Sequence, residues 1–470
     1  MVYAAACGKK YMLFDLSTYE GIVSFIFTII TAILALPTAY MTVFMLIGLF
    51  TRKTYPHVQN KGNYGVVISA RNEEKVVGNL IASVRGNDYP QQRLTIFVIA
   101  HNCTDKTAQV ARQAGAVVYE YNNPDERTKG YALKYLFSQI EKDYGIQTFD
   151  GYLMLDADNI VSENYVDKMN DAFMYWKGQS AITSFRNSKN FGQNVMSGLY
   201  GLHFVSGCRY ESRGRTVCGC SARVQGTGFL IPSFILKDGW KYVTLTEDWE
   251  FTADQILEGN RIRYCDEAEF WDEQPTTTKI MLRQRLRWAK GHLLVFFGKS
   301  RQLFCSLFRR KNKCRGSAYD ILACIIPYAV IGLFAGIIQF ILLSPLFGVP
   351  FLNGQSVGEY AQSNWVSWVI SLAAAYLSYA VPAALLFIVE RKRIRGLSAG
   401  RKVAIVLLWP LFNLLNLPLQ VVALFKKVEW KVIPHEAAIT HETLNEQVRQ
   451  AEQAQQVAAA KARPQDVKEK

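Results

Sequence analysis

Between Gly21 and Phe50 the chain runs for 30 residues without a charged side chain. That exceeds the ~20 residues needed to cross a hydrocarbon core, where only a helix satisfies its own backbone groups. It is also longer than the ~7–15-residue apolar centre of a cleaved secretory signal. The segment is expected to be a retained membrane helix, tilted or bent at Pro37. Three more apolar runs follow: Ala318–Phe347, with Asp320 near its start, then Trp365–Val389 and Val403–Phe425. A mixed, charged stretch lies between the first run and the others. The pattern is a polar domain held in a membrane frame.

Charge orients the frame. Arg309, Arg310, Lys311, Lys313 and Arg315 precede the second run, and Arg391, Lys392, Arg393, Arg395, Arg401 and Lys402 separate the third from the fourth. The loop around 348–364 has no Lys or Arg. Positive-inside bias places residues 51–317 and 391–402 in the cytoplasm. The last run contains Pro410, Asn413, Asn416 and Pro418. It is expected to be broken or re-entrant, lining a cavity and keeping the tail that starts at Lys426-Lys427 cytoplasmic. The net charge is +14 and half the residues are hydrophobic, which excludes wholesale disorder. The basic residues crowd beside apolar runs, so they point to a membrane surface and an anionic substrate, with no nucleic-acid partner. Nine cysteines and six histidines show no zinc spacing.

From residue 64 to 160 short apolar strands alternate with helical patterns. Strands are expected at Tyr64–Ala70, Thr95–Ala100, Val117–Tyr121 and Tyr152–Leu155, and helices at Glu74–Arg85, Lys106–Ala114 and Tyr131–Lys142. These are βαβ units of a parallel sheet, whose ligands sit at the carboxyl ends of strands. Polar clusters fall at those ends: Arg71-Asn72-Glu73, His101-Asn102 and Asp156-Ala157-Asp158. No GxGxxG follows the first strand, which argues against a dinucleotide enzyme.

Asp156 and Asp158 leave a strand on the same side. Two carboxylates suit Mg²⁺ or Mn²⁺ beside substrate phosphates, although a solvated turn would have the same sequence. Thr246-Glu247-Asp248 offers a general base, or a helix start with Thr246 as cap. In Gln284-Arg285-Leu286-Arg287-Trp288, Arg287 can steady a diphosphate, Trp288 can face a sugar ring, and Gln284 lies one turn away on a similar face. The same stretch also reads as an amphipathic interfacial helix. Lys129-Gly130 can place a cation near phosphate. Gly226 and Gly228 allow close approach of backbone to ligand, or mark a turn. Trp430 belongs to a mobile loop over the site or to an interfacial anchor.

In order, these pieces resemble the processive family 2 glycosyltransferases, the group of cellulose, hyaluronan, chitin and poly-N-acetylglucosamine synthases. The resemblance runs from about Tyr64 to Trp288. It implies an α/β GT-A (Rossmann-like) cytoplasmic domain with interfacial helices, framed by transmembrane α-helices. The expected division is an N-terminal segment (1–20), a transmembrane helix (21–50), the catalytic domain (51–278), interfacial helices with the QxxRW motif (279–317), three transmembrane or re-entrant segments (318–425), and a gating-loop-like segment with a charged tail (426–470). It implies that Asp156 and Asp158 contact the metal, Mg²⁺ or Mn²⁺, and the donor diphosphate. Asp248 would be the base, with Glu247 and Thr246 shaping the acceptor pocket. Arg71, Asn72, Glu73, His101, Asn102, Lys129 and Arg287 would bind the donor, and Gln284, Trp288, Gly226, Gly228 and Trp430 the acceptor. Family members often carry an acidic pair where this chain has His101-Asn102, so the donor base is left open.

The expected activity is inverting, processive polymerisation of a nucleotide sugar (UDP-glucose first, UDP-N-acetylglucosamine next) at the cell membrane, with extrusion of the polysaccharide. The partners are the donor, the growing glycan and the bilayer, with any export or regulatory subunit a separate chain. The alternatives are a non-processive enzyme acting on a lipid, as ceramide glucosyltransferases do, and an inactive transporter-like or scaffold subunit.

Overall fold

The computed structural model describes residues 2–6, 9–310, 312–347, 349, 356–428, 442–443 and 446. A hairpin of β1 (Val2–Ala6) and β2 (Lys9–Phe14) precedes the long helix α1 (Tyr19–Phe50), which Thr18 caps by accepting from the Gly21 N–H. The central domain follows as β3 (Tyr64–Ala70), α2 (Val77–Arg85), β4 (Leu94–His101), α3 (Thr107–Gln113), β5 (Val117–Tyr121), α4 (Lys129–Asp143), β6 (Gly151–Asp156), β7 (Ile160–Val161), α5 (Tyr165–Tyr175), β8 (Ile182–Ser188), α6 (Val195–Ser206), α7 (Arg213–Val217), β9 (Phe229–Pro232), α8 (Glu247–Leu257) and β10 (Arg263–Asp272). A π-helical stretch, Gly207–Ser212, joins α6 to α7. The chain ends with α9 (Thr278–Phe308), α10 (Arg315–Ile325), α11 (Tyr328–Leu342), α12 (Val357–Val389), α13 (Ala399–Leu414) and α14 (Asn416–Phe425).

The main sheet has the order β5-β4-β3-β6-β9-β8-β10-β7. Strands β5 to β6 are parallel as expected, but β9 runs antiparallel to both β6 and β8. Alternate side chains of β3 feed two cores, as the strand period of 2 requires. Val67 packs with Phe137, Leu136 and Ile140 of α4, whereas Val66 and Ile68 pack with Leu80 and Ile81 of α2 and Met169 of α5. Burial on both faces is why these strands read as continuous apolar runs. Helix α2 starts at Val77 rather than Glu74. The reason is local: the N–H groups of Glu73 and Glu74 donate to Thr107 Oγ1 (2.8 Å) and Asp105 Oδ2 (3.1 Å), so this segment braces the loop after β4.

Helices α1, α12 and the α13–α14 pair are long and apolar enough to cross a membrane. The run expected at Ala318–Phe347 is instead two helices, α10 and α11, bent by 61°. Pro327, which has no N–H to continue a helix, stands at the bend. In the last run the interruption at Leu415 is slight, because Pro418 falls in the first turn of α14, where its missing N–H has no intrahelical partner to lose. Both halves lie against the central domain's own helices. Phe412 packs on Tyr200 of α6 (5.5 Å between rings), and Ala423 packs on Ala289 and Leu293 of α9.

Candidate active site

A cavity of about 450 Å³ opens at the carboxyl ends of β3, β4 and β6 and continues between α6, α8 and α9 as far as Cys324 of α10. Its first end is formed by Ser69, Arg71, Glu73 and His101. His101 is buried and its Nε2 lies 2.7 Å from the Glu126 carbonyl oxygen, so that nitrogen carries the proton and donates. Burial lowers its pKa. Asn72 and Asn102 do not line the cavity. Both occupy left-handed backbone, at φ 58° and 51°, which Asn tolerates better than most residues. Asn72 Oδ1 accepts from the Thr104 N–H (2.8 Å), and Asn102 clamps both backbone groups of Asn123 (2.8 and 2.9 Å).

Asp156 and Asp158 line the middle. Lys129, on the first turn of α4, is ion-paired with Asp156 and donates to the Gly226 carbonyl at 2.8 Å. Burial opposes the lysine's charge, but Asp156, Glu247 and Asp248 outweigh it and raise its pKa. Asp158 accepts from Asn159 Nδ2 (3.1 Å) and the Glu273 N–H (3.0 Å). Beside it, Asp272 pairs with Arg186 (Nε to Oδ2, 2.9 Å), and burial, with a contribution from Asp158, pushes Asp272 up to about 6. Gly226 has φ 81°, and a Cβ there would stand 3.8 Å from Asp248 Oδ2. The turn therefore runs directly under the α8 carboxylate. Gly228 faces the Phe270 ring instead, away from the cavity.

Thr246 occupies the N-cap position of α8, but its side chain makes no capping bond and its buried Oγ1 has no hydrogen-bond partner. It packs against Gly291 of α9, where any side chain would collide with it. Burial pushes Glu247 up to about 7, with Lys129 opposing and Asp248 adding to the shift. Asp248 is also raised by burial. From α9, Gln284, Arg287 and Trp288 reach the same cavity. Arg287 Nη1 donates to the Leu245 carbonyl (2.9 Å), tying α9 to the approach of α8. Trp288 packs against Tyr200 and His203 (ring centroids 5.9 and 6.1 Å). Gln284 Oε1 is buried without a hydrogen-bond partner. Trp430 lies outside the described residues.

Further cavity residues were not foreseen: Arg186, His203, Glu211, Arg223, Asp272 and His292. Each stands alone in the sequence, outside any short motif. Asp156, Asp158, Asp272 and Glu273 all line this cavity, and carboxylate oxygen is the ligand type a hard divalent cation takes. A separate cluster, His57, Asp167 and Asp171, lies elsewhere on the domain. There Lys61 and Lys168 already pair with the two acids.

Fold and cleft together define a GT-A-like glycosyltransferase. Residues 62–291, just under half of the chain, match Glycosyltransferase like family 2, so the chain carries a family 2 glycosyltransferase domain, as a transferase enzyme does. The chain is 26% identical over 255 residues to the probable glycosyltransferase YdaM of Bacillus subtilis, covering 53% of this chain and 58% of that protein. It is 23% identical over 272 residues to poly-beta-1,6-N-acetyl-D-glucosamine synthase of Staphylococcus aureus, covering 54% of this chain and 63% of that one. The match thus spans less than two thirds of these relatives' length. Among solved structures, the mannosyltransferase PcManGT of Pyrobaculum calidifontis, in complex with GDP-Man and Mn²⁺, has the same fold: TM-score 0.52, 12% identity, covering 87% of this chain and 99% of that one.

Proposed function

We propose that the chain is a membrane-embedded, inverting, processive β-glycosyltransferase that builds a polysaccharide from a nucleotide sugar. One observation carries the reading: Asp156, Asp158 and Asp248 share a single cavity with Gln284, Arg287 and Trp288, although three separate stretches of chain supply them. Arg71, Glu73 and His101 would hold the nucleoside. Lys129 and Arg287 would face the diphosphate and take up the charge that develops as it leaves. Asp156 and Asp158 would hold Mg²⁺ or Mn²⁺, which when bound neutralises the diphosphate. Asp248 accepts the proton of the acceptor hydroxyl. The hydroxyl oxygen bonds to the anomeric carbon from the face opposite the diphosphate, whose bond breaks with both electrons leaving on its oxygen. Burial lifts Asp248 toward neutrality, which strengthens it as a base. Gln284 and Trp288 would position the acceptor ring.

The relative named as a poly-N-acetylglucosamine synthase makes UDP-N-acetylglucosamine the first donor to test, ahead of the UDP-glucose that the sequence alone favoured. The domain would face the cytoplasm, with the product leaving through the frame of α10 to α14 in the plasma membrane. The cavity's reach to Cys324 of α10 fits an acceptor approaching from the membrane side. A lipid acceptor would approach the same way, and product length separates the two. Purified protein given either UDP-sugar with Mg²⁺ or Mn²⁺ should release UDP and form a long glycan. A product of one sugar on lipid would replace the processive reading. Unchanged yield from Asp248→Asn would sink the enzymatic one; the expected loss is about 1,000-fold or more, as for removal of a proton acceptor together with its charge.

A further inference from the structure

Beyond Asp248 and Trp288 the cavity ends at a wall that no motif foretold. Arg223 and Glu211 line it and form an ion pair. The Arg223 guanidinium lies 4.6 Å from the Trp249 ring centroid, and the His292 ring meets Trp249 edge-on at 4.4 Å. Glu211 does not stop at Arg223. Its Oε2 also accepts from Arg215 Nη1 at 2.9 Å. Arg215, fully buried, forks onto Asp320 of α10, Nε to Oδ2 at 2.7 Å and Nη2 to Oδ1 at 3.0 Å. Asp320 accepts in turn from Tyr40 of α1, and Arg215 Nη2 contacts Met41 Sδ at 3.2 Å. An unbroken polar chain thus runs from the cavity wall to two helices of the apolar frame. Its two arginines balance its two acids, so no buried charge is left uncompensated.

We propose that Arg223 and Glu211 bind the acceptor's second sugar ring, and that Arg215 and Asp320 are positioning residues that fix this clamp to the membrane frame. The inference rests on the glycosyltransferase reading of the same cavity. The chemistry is that of carbohydrate recognition. A pyranose presents apolar C–H faces to aromatic rings and rows of hydroxyls to charged donors and acceptors. Trp288 with Gln284 serves the ring at the reaction centre. The Trp249–His292–Arg223–Glu211 wall offers the same combination deeper in the cavity, toward α10. Burial pushes His292 down to about 4, so it faces a sugar as a neutral imidazole. Guanidinium and carboxylate held by a fully buried fork lose little freedom on binding, which is how a pre-organised subsite gains affinity.

The test is binding of N-acetylglucosamine oligomers to the purified full-length protein, read by tryptophan fluorescence, alongside UDP release from UDP-N-acetylglucosamine. Wild type should bind the tetramer about tenfold more tightly than the monosaccharide, the gain of roughly one good contact set. Arg223→Ala and Glu211→Gln should bring the two affinities within about twofold of each other. Arg223→Lys, which keeps the charge but loses the fork, should fall between them, and it serves if the alanine variant does not fold. Asp320→Asn and Tyr40→Phe should raise KM for the oligomer while the donor KM moves much less. Equal affinity for short and long glycans in wild type, or an equal loss for both in the variants, overturns the clamp. Length-dependent binding with no UDP release from any UDP-sugar would overturn the proposed function while leaving the clamp standing.

Discussion

Glu247, buried, and Asp248, half-buried, stand side by side on the first turn of α8, flanked by Lys129 and Arg287. Burial raises both carboxyls, and the ionised form of each hinders ionisation of the other. Asp248 takes a proton in the proposed reaction, so activity requires its ionised form. UDP release should therefore fall as pH drops, with an acid limb above the ordinary Asp range because burial raises Asp248. Glu247→Gln removes the neighbouring negative charge, so Asp248 ionises more easily. The acid limb of the kcat/KM profile should move to lower pH by roughly one unit. A limb that does not move, or moves upward, would take the base role from Asp248. At this scale the acids were legible because each pair is close in sequence, at i,i+2 or i,i+1, and follows a strand or opens a helix. Asn72 and Asn102 show the opposite case. An Asn after a strand reads equally as a ligand or as a left-handed turn, and only the bonds to Thr104 and Asn123 show which geometry it adopts.

Arg285 sits inside the QxxRW motif yet points away from the cavity, into the slight break between α13 and α14. Its Nη1 donates to the Phe412 carbonyl at 2.5 Å and its Nη2 to Asn416 Oδ1 at 2.8 Å, with the guanidinium 4.0 Å from the Phe412 ring centroid. It has no carboxylate partner among these contacts. Replacing it by Met spares the cost of burying a charge but strands the carbonyl of the buried Phe412, at a cost of about 1–3 kcal/mol. The second effect should win, and Arg285→Met should lose about 2 kcal/mol of stability. The check is the temperature at which the buried thiols of Cys208 and Cys265 become reactive to a dye, expected a few degrees lower. An unchanged temperature would mean that packing of α9 on α14, not this cap, holds the two together. Hydropathy located the strands well: the buried β3 and the half-buried edge strand β5 both span the expected residues. At the last run, prolines and asparagines mark an interruption in the sequence without giving its extent.

Hydropathy gives an apolar run its length but not the side on which it ends, and the topology of the whole molecule turns on α13 and α14. The basic loop before α13 is fastened to the central domain: Arg393 pairs with Asp266 and Glu269 (3.5 and 3.3 Å), and Arg401 donates to the Gly192 carbonyl. At the other end, Lys290 of α9 donates to the Ala423 carbonyl at 3.0 Å. Between these points Ile405 abuts Gly198, and Phe412 abuts Tyr200. A helix that crossed the bilayer away from the domain would carry its far end out of such reach; this pair keeps contact with α6 and α9 along its length. Residues on both sides of it should therefore share one face of the membrane, as the tail-inside expectation requires. Single cysteines at Ser398 and Lys427, treated with a membrane-impermeant maleimide, should both be shielded in intact cells and both labelled in inverted vesicles. A cysteine at Asn364, in the first turns of α12 and next to the stretch that carries no Lys or Arg, should show the reverse. If Lys427→Cys is labelled together with Asn364→Cys, the pair crosses. The contacts to α6 and α9 would then have to form within the membrane, and the domain would be embedded more deeply than its charged surface favours.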